Sequence, residues 1–178
     1  NKQRNNALNE TTKLLKANIN QILEANKIDI ENSKKKSMPN SFIDRLSLDK
    51  KRISSIIDGL IDISKLEDPL NKVLSTWDRP NGLNISKISV PLGVIGIIYE
   101  SRPNVTIDAG ALCIKSGNTC ILRGGSDSFY TSTLLTKFLQ QGLKLAGLPE
   151  TCVQIIDTTD RNMVTAILKA SKYICLLY

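Results

Sequence analysis

The sequence has 178 residues, 41% hydrophobic and 23% charged, an ordinary balance for one globular unit with a core of its own. Its formal charge is +7, but the one dense basic cluster, Lys34-Lys35-Lys36, accompanies no nucleic-acid motif and reads as a solvated linker, which argues against a nucleic-acid partner. The absence of histidine excludes imidazole chemistry and His-ligated metals, no metal site is expected, and no apolar run reaches the roughly 20 residues of a membrane span.

From about Lys2 to Ala25, the apolar positions Leu8, Leu15, Ile19, Ile22 and Leu23 recur at helical spacing. A polar, lysine-rich linker is expected next, closing near Pro39. A second helix is expected on the i, i+3, i+4, i+7 stripe Ile53, Ile56, Ile57 and Leu60, capped by Ser47 or Asp49 and ending before Glu67-Asp68-Pro69. Residues 1–68 thus read as an amino-terminal helical region packed on the remainder of the chain. Beyond Pro69, "KVLSTWDRPNGLNISKISV" reads as a hairpin turning at Asn81-Gly82. Strands at Gly93–Tyr99, Thr119–Leu122, Val153–Ile156 and Tyr173–Leu177 then alternate with helices over roughly 105–115, 128–146 and 161–170. That alternation predicts a parallel sheet covered on both faces, so residues 69–178 read as a β-hairpin plus an α/β unit.

Four cysteines, Cys113, Cys120, Cys152 and Cys175, lie among apolar neighbours without zinc or redox spacing. They read as reduced, packed thiols of a cytoplasmic protein, and the polar start at Lys2-Gln3-Arg4 does not resemble a signal peptide.

Parallel sheets bind ligands beyond the carboxyl ends of their strands. Glu100, Ser101, Arg102, Pro103 and Asn104 stand at such an end. Pro103 can open a helix whose unpaired N–H groups face an anion, Arg102 can grip phosphate or carboxylate, and Asn104 can donate its amide. A polar loop with a surface Arg–Glu pair is the competing reading. "ILRGGSDS" repeats the logic: Arg123 ends a strand, Gly124 and Gly125 let backbone approach a ligand, and Ser126 or Asp127 can cap the next helix. Thr158, Thr159, Asp160 and Arg161 at a third strand end read as a helix cap.

The stretch "VPLGVIGIIYESRPNVTIDAGALCIKSGNTCILRGGSDS" closely resembles the γ-glutamyl phosphate reductases (glutamate-5-semialdehyde dehydrogenases) of the aldehyde dehydrogenase superfamily. "ESRPNVT", "KSGN" and "ILRGGS" stand in the family's order and spacing, and the likeness extends through "RPNGL" and "AGLPETCVQIIDTTDR". The resemblance implies amino-terminal helices and a hairpin followed by a partial Rossmann-like parallel sheet of the aldehyde dehydrogenase type. It implies an oxidoreductase that uses NADPH to reduce γ-glutamyl phosphate to glutamate 5-semialdehyde in proline synthesis.

By the same resemblance, Glu100, Ser101, Arg102 and Asn104 are substrate or oxyanion candidates. Arg123, Gly124, Gly125 and Ser126 are cofactor-binding candidates, with Arg123 placed to favour the 2′-phosphate of NADPH. The family's nucleophilic cysteine sits in a "PGVCN"-like segment that none of the four cysteines matches. The expectation is therefore a truncated relative without its catalytic domain, inactive alone, for which a separately encoded carboxyl-terminal half and a homo-oligomer are the protein partners to look for. The alternative is a non-catalytic remnant serving as a nucleotide-binding or interaction domain.

Overall fold

The computed structural model describes residues 1–178. Two helices open the chain, α1 (Lys2–Ala17) and α2 (Ile19–Lys35), where the sequence predicts one helix and a linker. They part at Asn18, whose Nδ2 donates to the Leu14 carbonyl at 2.8 Å. The expected linker is mostly helix because the inward face of α2 turns polar after Leu23. Asn26, Asp29 and Ser33 are buried there, so apolar periodicity fades while packing continues. Asn26 donates to the Leu46 carbonyl at 2.9 Å and accepts from the Leu48 N–H at 2.7 Å, tying α2 to the short helix α3 (Asn40–Leu46).

Helix α4 (Lys50–Lys65) starts at Asp49, whose carboxylate accepts from the Arg52 N–H at 2.7 Å. Its predicted stripe, Ile53, Ile56, Ile57 and Leu60, is buried. Next comes a two-stranded antiparallel ribbon, β1 (Val73–Asp78) and β2 (Asn84–Ile88), turning through Gly82 at φ 80°. Every residue of β1 is exposed, and Val73, Leu74, Trp77, Leu83 and Ile88 leave an apolar surface uncovered.

Four parallel strands complete the architecture: β3 (Val94–Ile98), β4 (Thr119–Arg123), β5 (Val153–Ile155) and β6 (Leu176–Leu177), in the order β5-β4-β3-β6. The connecting helices are α5 (Pro103–Lys115), α6 (Phe129–Leu145) and α7 (Asn162–Lys169). The last strand is shorter than its apolar run predicts, because residues 170–174 form turns rather than ladder. Ile95 and Ile97 join the main core, while Gly96, on the alternate face, lies beneath Ile167 of α7 and Leu177.

A single core holds both regions: Leu8, Leu15, Ile22 and Leu60 from the helices cluster with Ile107, Leu122, Leu139 and Val153. Helix α1 crosses α6 at Gly142, where an added Cβ would lie 2.7 Å from the Ala7 carbonyl oxygen.

The "KSGN" stretch makes the joint between α5 and β4. Gly117, at φ 71°, and Asn118 donate to the Ile114 and Cys113 carbonyls at 3.0 and 2.9 Å, the double closure of a Schellman cap. Asn118 Oδ1 then accepts from the Gly93 N–H at 2.9 Å, aligning β3 beside β4. Buried Lys115 donates to Asn5 Oδ1 at 2.7 Å and the Ser64 carbonyl at 2.9 Å, locking α5 to α1 and α4.

Candidate functional site

The loops after β3, β4 and β5 meet over the carboxyl ends of those strands and border a cleft of about 620 Å³. Glu100 and Ser101 come from the first loop, Arg123, Gly124, Gly125 and Ser126 from the second, and Thr159 and Arg161 from the third. Arg45 of α3 completes the rim. Three arginines against Glu100 and Asp127 leave the lining net cationic, which suits an anionic ligand.

The glycines hold this arrangement by absence of bulk. A Cβ on Gly125 would stand 2.7 Å from the Ser101 backbone nitrogen, and one on Gly124 would stand 3.1 Å from the Tyr99 ring. The second loop therefore lies directly on the first. Tyr99 keeps its ring in place through a 2.8 Å hydrogen bond between its hydroxyl and Thr106 Oγ1.

Arg123 is 7% exposed. Its guanidinium donates to the Gly124 carbonyl and, at 3.2 Å, to the Thr159 carbonyl, so it staples the second loop to the third. Its Nε is buried without a hydrogen-bond partner. The glycine backbone and the cationic rim suit a phosphate-bearing nucleotide.

The substrate candidates divide. Ser101 is buried under Gly125, and Glu100 lines the cleft. Arg102 is half exposed, 3.8 Å from Glu100, and does not line the cleft. Asn104 donates to Asp108 Oδ2 at 3.2 Å, on the side of α5 that borders a smaller hollow with Arg45, Arg52 and Ser55. Burial holds the Asp108 carboxyl above its ordinary range.

The sequence assigns the cap of α6 to Ser126 or Asp127, and the structure corrects this. Ser126 and Asp127 begin a short 3-10 turn, and α6 is capped from a distance by Asp29 of α2. Asp29 accepts from the Tyr130 N–H at 3.1 Å, the Thr131 N–H at 2.8 Å and Thr131 Oγ1 at 2.6 Å. Burial nevertheless pushes its carboxyl above the ordinary range. Asp127 instead pairs with Lys36 at 2.6 Å, drawing one residue of the expected solvated lysine run to the edge of the site.

In the third loop the N-cap position of α7 is Arg161, which makes no side-chain cap, while Asp160 one residue earlier accepts from the Asn162 N–H at 2.9 Å. Thr159 and Arg161, which the sequence places at a third strand end only as a helix cap, additionally line the cleft, as does Arg45, which no motif in the sequence singles out.

The cysteines lie elsewhere. Cys113 and Cys120 are buried and adjacent, and the neighbouring Cys113 thiol together with burial pushes Cys120 far above its ordinary range. Cys152 is partly buried, and burial raises it too. Cys175 is exposed, contrary to its apolar setting in the sequence, because β6 is a sheet edge. It stands beside Gly93, at the opposite end of β3 from the cleft.

No family model matches the chain. It is 51% identical over 174 residues to γ-glutamyl phosphate reductase of Clostridium tetani, covering 98% of this chain and 41% of that protein. It is 57% identical over 148 residues to γ-glutamyl phosphate reductase of Brucella anthropi, covering 83% of this chain and 35% of that one. The crystal structure of γ-glutamyl phosphate reductase from Thermotoga maritima superposes with a TM-score of 0.95 at 39% identity, over 99% of this chain and 42% of its own. Propionaldehyde dehydrogenase from Rhodopseudomonas palustris shares the fold, with a TM-score of 0.64 at 15% identity over 97% of this chain and 36% of its own. The chain thus spans about two fifths of the length of the curated relatives it matches along most of its length. In sequence and in fold it belongs to the γ-glutamyl phosphate reductase family, matching the amino-terminal portion of those proteins.

Proposed function

We propose that this chain forms the cofactor-binding part of an NADPH-dependent reductase acting on γ-glutamyl phosphate in proline biosynthesis. The observation that carries the reading is the Gly124-Gly125 loop laid on Ser101, which opens a cationic cleft at the carboxyl ends of three parallel strands. Residues 69–178 carry the nucleotide in this reading, and residues 1–68 buttress its loops through α2 and α3.

NADPH, when bound, supplies the hydride. The chain's own residues orient it: Gly124, Gly125 and Ser126 give it backbone to lie against, and Arg123 holds two loops at the required spacing. We assign Glu100, Ser101, Arg102 and Asn104 to the substrate side. Arg102, held only loosely by Glu100, takes the phosphate or carboxylate, and Asn104 supports a developing oxyanion with the amide it now directs at Asp108.

None of Cys113, Cys120, Cys152 and Cys175 combines exposure with a place at the cleft, so none is the nucleophile. In this reading the thiolate that attacks the acyl phosphate is none of these four, and these 178 residues by themselves are expected to turn nothing over. The test combines the chain with the carboxyl-terminal portion of the C. tetani reductase and measures NADPH oxidation dependent on γ-glutamyl phosphate. Turnover by the pair and none by either half is expected. A folded complex without turnover contradicts the enzymatic reading, and turnover by this chain alone contradicts the assignment of its cysteines.

A further inference from the structure

Beside the first cleft lies a second of about 630 Å³, sharing Ser126, Asp127 and Thr159 with it. Its charged lining is Asp29, Lys35, Lys36, Asp127 and Asp157. Asp29 is 2% exposed and both its oxygens are taken up by the amino end of α6, so it does not face an incoming ligand. Two lysines and two aspartates remain, and Lys36 and Asp127 are joined at 2.6 Å.

We propose that the Lys36–Asp127 pair decides whether a phosphorylated ribose is admitted beside Ser126, so that NADPH is accepted in preference to NADH. The inference rests on the cofactor reading above. A carboxylate beside the ribose of a dinucleotide accepts a hydrogen bond from the 2′-hydroxyl and repels a phosphate at the same carbon. Asp127, next to the Gly-Gly loop and mostly covered, is such a carboxylate.

Lys36 neutralises it, and Lys35 offsets Asp157 in the same hollow, so the lining carries no net negative charge against a phosphate. Arg123 is less suited to this task, because its guanidinium already serves the Gly124 and Thr159 carbonyls and is buried.

Lys36 is also held in place. It is the C-cap of α2, where a cation is favoured, and a double closure at Ser37 and Met38 fixes the backbone just beyond it. Asp29, on the same helix, anchors α2 to the start of α6, three residues from Asp127. The ion pair therefore joins two elements already locked together.

The experiment titrates the purified chain with NADPH and separately with NADH by nicotinamide fluorescence, in the wild type, K36Q, K36R, D127N and K36Q/D127N. The wild type and K36R are expected to prefer NADPH. K36Q is expected to weaken NADPH about tenfold and NADH less than about twofold, and adding D127N to K36Q to recover most of the loss. Equal weakening of both nucleotides by K36Q, or no effect on NADPH, overturns the inference. A wild type that binds both nucleotides equally overturns it while leaving the cofactor reading intact. A wild type that binds neither overturns both.

Discussion

At the scale of single residues, Gly125 and Asp29 do the most to set the geometry of the site. Gly125 is required by space, because the Ser101 backbone occupies the direction a side chain would take. Gly125→Ala is expected to force the two loops apart, costing about 1–3 kcal/mol and lowering Tm by several degrees in a thermal melt. Unchanged stability would mean the loops do not touch as described.

Asp29 joins α2 to α6 by three hydrogen bonds, and Asp29→Ala is expected to cost about 1–3 kcal/mol in urea denaturation. Its pH dependence has a definite sign. Burial makes the folded state hold the Asp29 proton to higher pH than the unfolded chain does, so folded protein binds more protons in that window. The contribution is full below the ordinary carboxyl pKa and is lost as pH rises through the raised folded value. The stability of wild type relative to Asp29→Asn should therefore grow as pH falls through the raised folded value towards the ordinary carboxyl pKa. A difference that shrinks on acidification would show that the hydrogen bonds outweigh burial.

At the scale of elements, legibility depended on the kind of face each element buries. Helix α4 was readable because its buried stripe is all isoleucine and leucine, and Asp49 marks its start. The parallel strands were readable as short apolar runs between helical stretches, and Asn81-Gly82 announced the hairpin. The carboxyl-terminal half of α2 was not, because it buries Asn26, Asp29 and Ser33, residues that in sequence look like solvent-facing linker. The partners of Asn26 and Asp29 lie 20 to 105 residues away, and no local pattern reports them.

The same distance hid the capping of α6. The site loops were legible as strand ends bearing Gly, Arg and Asn; Thr159 and Arg161 were legible as a strand end but read only as a cap, and Arg45 joins the cleft only through tertiary packing. One prediction belongs to α2 itself. Its end places Ser37 at φ 56°, where a side chain is strained and glycine is not. Ser37→Gly should stabilise the protein by about 0.5–1 kcal/mol, read as a higher urea midpoint; a lower midpoint would mean the cap is not formed as described.

At the scale of the whole molecule, one core unites α1, α2, α4, α5 and α6 with β3, β4 and β5, the strands whose carboxyl ends bear the site loops, so cofactor binding should register as global stability. The ribbon stands apart from that core. Its uncovered apolar residues are where the homo-oligomer expected from the family resemblance is to be tested. Trp77→Lys should then lower the sedimentation coefficient seen at high concentration, and a concentration-independent wild type would contradict that expectation.

The most direct test of the central claim is a thermal melt of the purified chain across an NADPH titration. At about a hundred times Kd, a nucleotide bound only by the folded state adds about 2.7 kcal/mol, which corresponds to a rise in Tm of about 5–10 °C for a chain of this size. A saturable rise of that order, abolished by Gly125→Ala, is the predicted result. A sharp melt that NADPH leaves unmoved at every concentration would contradict it.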